Sequence, residues 1–189
     1  MLTKLKLCFP LLLILAMITL ALPTKSVAAR GMASPSAPEA LPCVVRKLVD
    51  IDGEFSTVVS TSPYSPTAVR VSFFGLGSFF INHRFAGNLV LGSQIVNLAV
   101  VPNAIDGNIN LLTTNGSLIF GRFIGTSTPP DAAGNIMFSG EILFFGGTGS
   151  HIGDKGDAMV VGTANALTSK GQFTFEGHLR TNVAAPCTF

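Results

Sequence analysis

Short runs of apolar residues, separated by turn residues, recur along most of the chain. In the last run, Phe173, Phe175 and Leu179 alternate with the polar residues Thr174 and Glu176. Alternation with a period of two indicates a strand with one buried and one polar face. About eight or nine such runs, at spacings near ten residues, predict an all-β sandwich or barrel. A closed barrel also leaves no exposed strand edge.

Two turn signals predict hairpins in the second half of the chain. Asn115-Gly116 lies between the apolar runs Ile109–Thr113 and Leu118–Ile124, and Asn-Gly is a strong signal for a two-residue hairpin turn. The stretch Gly140–Ala164 consists of an apolar run, a glycine-rich turn and a second apolar run. Glycine suits a tight chain reversal because it reaches positive φ without steric cost. The glycines of this turn region are Gly146, Gly147, Gly149, Gly153 and Gly156.

Turn residues in the first half predict further breaks between strands. Asp52-Gly53 is typical of a turn, and Ser62–Pro66 is typical of a loop. Gly75 and Gly77 are expected to interrupt a strand. Asp106-Gly107 is expected to lie where a strand ends.

The N-terminus has the layout of a secretory signal peptide. Lys4 and Lys6 precede the apolar run Leu11–Leu22, and the small residues Val27–Ala29 follow it. The run of about twelve residues is shorter than the roughly 20 that span a bilayer, so cleavage is favoured over a permanent anchor. The predicted organisation is a signal peptide at 1–29, a flexible leader at 30–42 and a β-barrel domain at 43–189. The predicted location is secreted, periplasmic or otherwise extracytoplasmic.

The charge balance argues against a nucleic-acid partner. Of the twelve Lys and Arg residues, Lys4, Lys6 and Lys25 precede the cleavage site, which leaves nine against ten acidic residues. The mature chain is therefore close to neutral, and no basic patch is visible in its sequence.

Two cysteines remain after cleavage removes Cys8. Cys43 and Cys187 lie near the two ends of the predicted domain, and in an exported chain they are expected to form a disulfide. Closing so long a loop can contribute roughly 5 kcal/mol at most. The alternative is a pair of reduced, buried thiols. A zinc site is not expected, because there is no Cys-x-x-Cys and the histidines are scattered.

From Ile109 onward the chain resembles the allene oxide cyclase-like barrel superfamily, which includes plant dirigent proteins and many bacterial secreted proteins. The resemblance rests on Gly146-Gly147-Thr148-Gly149 followed by Gly153 and Gly156, with support from Phe123–Thr126 and Phe173–Gly177. It implies an antiparallel, calycin-like barrel of about eight strands with an apolar cavity. Since plant relatives are often trimers, it also leaves a homo-oligomer open. No plant catalytic residue can be transferred to this chain.

The turn departs from the family pattern at three positions. Ser150 replaces a common basic residue, His151 a common Phe, and Asp154 a common Ala. These residues are expected to place a polar, charged tip on the turn.

Four residues are candidates for chemistry or ligand contact. Glu141, in an apolar strand, becomes a general acid or base if it points into the barrel, whereas on the outer face it would pair with Arg122 or Lys155. Glu176 and His178 share one face of the last strand. The outward orientation is favoured for them because the phenylalanines occupy the opposite face. Arg122 and His178 are the candidates for ligand binding.

The sequence therefore favours a secreted, non-catalytic barrel that binds a small apolar ligand or serves as a structural envelope module. The alternative is a cyclase, an isomerase or a dirigent-like protein acting on an apolar substrate. That alternative requires an inward carboxylate, for which Glu141 and Glu176 are the candidates. No cofactor or metal is expected in either case.

Overall fold

The computed structural model describes residues 43–185, with side chains as far as Val183. The signal peptide and leader predicted for 1–42 lie outside the described residues, as does Cys187. The described chain is all-β apart from a three-residue 3-10 turn, Gly149–His151. The eight strands are β1 Cys43–Ser65, β2 Ala68–Ile81, β3 Arg84–Asn97, β4 Asn103–Thr113, β5 Leu118–Ser127, β6 Asn135–Gly147, β7 Lys155–Asn165 and β8 Lys170–Ala185.

The strands form one closed antiparallel barrel in chain order. Each strand pairs with the next, and β8 returns to pair with β1 from Cys43↔Ala185 to Val58↔Lys170. Within residues 43–185, no helix is long and apolar enough to cross a membrane. The prediction of an antiparallel barrel of about eight strands is confirmed.

The connections divide between the two ends of the barrel. At one end, which we call the turn end, lie the connections at 82–83, 114–117 and 148–154. At the other end, which we call the loop end, lie the connections at 66–67, 98–102, 128–134 and 166–169.

Several turns predicted in the first half are wrong. Asp52-Gly53 lies within β1, and Ser62–Ser65 completes that strand. Gly75 and Gly77 lie within β2, and Asp106-Gly107 lies within β4. Gly53 shows the reason: a Cβ there would come within 2.8 Å of the Phe79 Cβ and 2.7 Å of the Phe175 ring. Glycine at this position accommodates core rings and does not reverse the chain.

The predicted hairpins are confirmed. Asn115 and Gly116 lie in the β4–β5 turn, where Gly116 has φ 81°. In the β6–β7 connection, Gly149 and Gly153 have φ values of 57° and 81°, a region that favours glycine. Gly156 has a different role, because it pairs with Leu179 so closely that a Cβ would lie 2.0 Å from the His178 carbonyl oxygen.

The inward face is most tightly packed toward the turn end. Ile51, Leu111, Ile119, Ile142 and Leu179 are completely buried there. Phe55 lies at the inner limit of this packing, with its ring centroid 5.6 Å from that of Phe173 and 6.3 Å from that of Phe175. The predicted alternation in β8 is confirmed, since Phe173, Phe175 and Leu179 are buried and their polar neighbours are exposed.

Candidate ligand-binding cavity

The half of the barrel toward the loop end is hollow. It contains a partly open cavity of about 360 Å³ that is bounded by inward-facing residues of all eight strands. Residues of the end loops, among them Leu98, Pro130 and Ala166, complete its wall. A volume of this size is at the lower end of the range typical of small-molecule sites.

Most of the cavity wall is apolar. Val71, Val96 and Val160 contribute branched side chains, and Phe138 and Phe173 contribute rings. Phe173 contacts both Phe138 and the deeper Phe55, with centroid distances of 6.5 Å and 5.6 Å. The aromatic cluster therefore forms a floor between the hollow half and the packed half of the barrel.

Two buried polar residues face each other in this wall. Asn103 at the start of β4 is directly opposite Ser127 at the end of β5. Each is only 6% exposed, and both line the cavity. Among the described residues, neither side chain has a hydrogen-bond partner.

Hydrogen bonds fix the loops around the cavity. The Asp131 carboxylate accepts bonds from the backbone N–H groups of Asn135 at 2.7 Å and Ala133 at 2.9 Å. The bonds from Asn135 are the main cause that lowers the pKa of Asp131. The Asn165 side chain then donates to the Ala133 carbonyl at 3.0 Å and to Asn135 Oδ1 at 2.9 Å, which joins the β5–β6 and β7–β8 loops.

The two candidate carboxylates lie on the outer face of the barrel. In β6, Ile142 is completely buried, and Glu141 belongs to the opposite face, paired with Ile124 and Met159 on the adjacent strands. Glu176 is exposed on β8. The structure therefore brings neither carboxylate into the cavity.

The two candidate ligand-binding residues are also external. Arg122 forms a bidentate ion pair with Asp106, in which Nε donates to Oδ1 at 2.8 Å and Nη2 donates to Oδ2. This hydrogen bonding lowers the pKa of Asp106. Since both side chains are about half exposed, the pair contributes little to stability. Its partner is thus Asp106 rather than Glu141. His178 is 58% exposed, with Nε2 3.6 Å from the Asp50 carboxylate.

The expectation of a polar, charged tip on the β6–β7 turn is wrong for Asp154. That residue is completely buried, and its Oδ2 lies 2.8 Å from Nδ1 of the mostly buried His151. The Asp154 Oδ1 has no partner in the described part of the chain. The β6–β7 connection therefore directs the Asp154 carboxylate inward, toward His151. Among residues 43–185, no group of three or more His, Cys, Asp or Glu side chains is placed to hold a metal ion.

The sequence reasoning missed Asn103 and Ser127. The sequence does contain a signal for Ser127. It is an even number of residues from Ile119 and Phe123 in β5, which are buried, so its side chain is expected on the same inward face. Asn103 is likewise an even number of residues from the buried Ile105 and Ile109 of β4, but it directly follows Pro102, and Pro-Asn is locally typical of a turn.

The fold and the cavity define the class of this protein as a closed eight-stranded antiparallel barrel that is hollow at one end. No protein-family model matches the chain, and no curated protein or solved structure matches it significantly.

Proposed function

We propose that this protein binds a small apolar molecule in the cavity at the loop end and does not transform it. The observation that carries the proposal is the hollow, mostly apolar half of the barrel, whose volume is about 360 Å³. An eight-stranded barrel is just wide enough to hold one small ligand. The resemblance to the allene oxide cyclase-like superfamily supports this function, since it implies a barrel with an apolar cavity.

Two features favour binding over catalysis. Glu141 and Glu176, the carboxylates on which an enzymatic function would depend, belong to the outer face. Moreover, none of the described residues that line the cavity is charged. General acid–base catalysis needs a titratable group within hydrogen-bond reach of the substrate. A cyclase, an isomerase or a dirigent-like protein therefore has less support than a carrier, and a purely structural envelope module would not need the cavity.

The direct test is to identify what the protein retains. The purified protein would be incubated with an extract of lipids and phenolic compounds, separated from free ligand, and extracted for mass spectrometry. We expect about one unaltered apolar molecule per chain. An altered product that disappears in Glu141→Gln or Glu176→Gln would favour the enzyme. Retention of nothing would favour the structural module.

We also propose that the protein is exported and that Cys43 and Cys187 form its disulfide. The pairing is supported by the register of β1 and β8, in which Cys43 is opposite Ala185, two residues before Cys187. Disulfide-linked Cα atoms lie within about 7 Å of each other, and the register brings Cys43 next to Ala185, which is only two residues from Cys187 along the chain.

The disulfide predicts a measurable loss of stability in the double variant Cys43→Ser/Cys187→Ser. We expect the free energy of unfolding to fall by about 2–5 kcal/mol, because the bond restricts the unfolded chain. Urea denaturation would measure the loss, with dithiothreitol-treated wild-type protein as the matched comparison. Two free thiols in the mass spectrum of the exported protein would contradict the pairing.

A further inference from the structure

We infer that the cavity selects an uncharged amphiphile, whose hydroxyl or carbonyl group bonds to Asn103 and Ser127 while its hydrocarbon part fills the apolar wall. This inference rests on the proposed function and adds the chemical class of the ligand and its orientation. A simple example of the class is a medium-chain alcohol.

Two of the neutral polar side chains in the cavity wall lie on neighbouring strands. Asn103 and Ser127 are directly opposite in the β4–β5 register, so their Cβ atoms are about 5 Å apart. An amide supplies donors and an acceptor, and a hydroxyl supplies both as well. Since both residues are 6% exposed and unpartnered among the described residues, a ligand group that bonds to them relieves an unmet hydrogen-bonding capacity.

The absence of charge from the described cavity wall sets the selectivity. Its polar members are neutral, and Asn165, one of them, is already engaged by the loop hydrogen bonds. A carboxylate or an ammonium group entering this space loses its hydration and gains no opposite charge, which is strongly unfavourable. A hydroxyl or carbonyl group loses much less hydration and recovers hydrogen bonds from Asn103 and Ser127.

The size of the cavity limits the ligand. At about 30 Å³ for each water-sized volume, the cavity has room for roughly a dozen such units. The hydrocarbon part would run from Asn103 and Ser127 toward Val71, Val160 and the aromatic floor. Eight-carbon chains fit this limit and differ only in their end groups, so they are suitable probes.

The first experiment compares octan-1-ol, octanoate and octylammonium at pH 7. Each competes with the neutral fluorophore N-phenyl-1-naphthylamine for the purified full-length mature protein, and isothermal titration calorimetry measures octan-1-ol directly. We expect octan-1-ol to bind at least about tenfold more tightly than either charged probe, a preference of about 1.4 kcal/mol.

The second experiment tests the polar pair with Asn103→Leu and Ser127→Ala. Each variant is expected to weaken octan-1-ol binding by about 3- to 10-fold, because one hydrogen bond is lost. Binding of octane, which has no polar group, should stay the same or strengthen. Because the octanol-to-octane ratio is measured within each variant, general loosening of the fold would not produce this pattern. Circular dichroism checks that each variant folds. A changed octanol-to-octane ratio in either variant alone is enough to support the inference.

The outcomes separate the inference from the proposed function. If octanoate or octylammonium binds as tightly as octan-1-ol, or if the two variants leave the octanol-to-octane ratio unchanged, the inference is overturned while the carrier function stands. If neither the fluorophore nor any eight-carbon probe binds, the carrier function fails and the inference fails with it.

Discussion

Replacing Phe55 with alanine is expected to lower the free energy of unfolding by about 3–5 kcal/mol. Phe55 is completely buried and stacks on Phe175, with the two rings 10° from parallel. It also contacts Phe79 and Phe173, so its removal takes contacts from three rings at once. The surrounding strands belong to a closed barrel, which cannot easily collapse into the space.

Urea denaturation followed by circular dichroism would measure this loss, with Val58→Ala as the matched control. Val58 lies on the same strand but is 63% exposed, so its truncation should change stability by no more than about 0.5 kcal/mol. A loss below about 1.5 kcal/mol for Phe55→Ala, or equal losses for the two variants, would show that the aromatic cluster does not form the core described above.

Replacing Val71 with phenylalanine is expected to reduce octan-1-ol binding at least about tenfold, or about 1.4 kcal/mol. Val71 lines the cavity, so the larger ring would occupy the space that the ligand needs. Because the ring enters a hollow region rather than a packed one, it should not cause the loss of about 1–3 kcal/mol that overpacking brings. Stability should therefore stay close to that of the wild type or rise.

The matched control for this substitution is Ser93→Phe. Ser93 is exposed on β3 and pairs with Ser72, the neighbour of Val71 in β2. The same ring is thus added to the outer face at nearly the same height in the barrel. Calorimetric titration of both variants separates blockage of the cavity from a general effect of added phenylalanine. Unchanged binding by Val71→Phe would place the ligand elsewhere.

The strand pattern was most predictable where one face is wholly buried. The alternation from Phe173 to Leu179 determines both the strand and the face that it turns inward. Glycine within strands was the main source of error in the first half. Gly53 and Gly77 resemble turn signals locally, yet Gly53 makes room for rings contributed by β2 and β8, and Gly77 lies against the backbone of Glu54. Such tertiary contacts cannot be seen in a local sequence pattern.

The candidate site was less predictable because a cavity depends on volume rather than on residue type. The same apolar alternation fills the barrel near Ile142 and leaves it hollow near Val160. Charged residues drew attention in the sequence, but Glu141 and Arg122 are external. Asn103 and Ser127 contribute to the polarity of the cavity. Their residue types are common at turns and strand ends, and only their register shows that they face each other.

A methyl-resolved NMR titration of the protein with octan-1-ol tests most directly whether the ligand binds inside the barrel. If the ligand binds inside the barrel, the methyl signals of Val71, Val96 and Val160, which line the cavity, should shift with a common saturation curve. Signals of Leu179 in the packed half and of the exposed Val161 should not move. Shifts confined to Val161 and other outer residues, or no saturable shift at all, would contradict an internal ligand site.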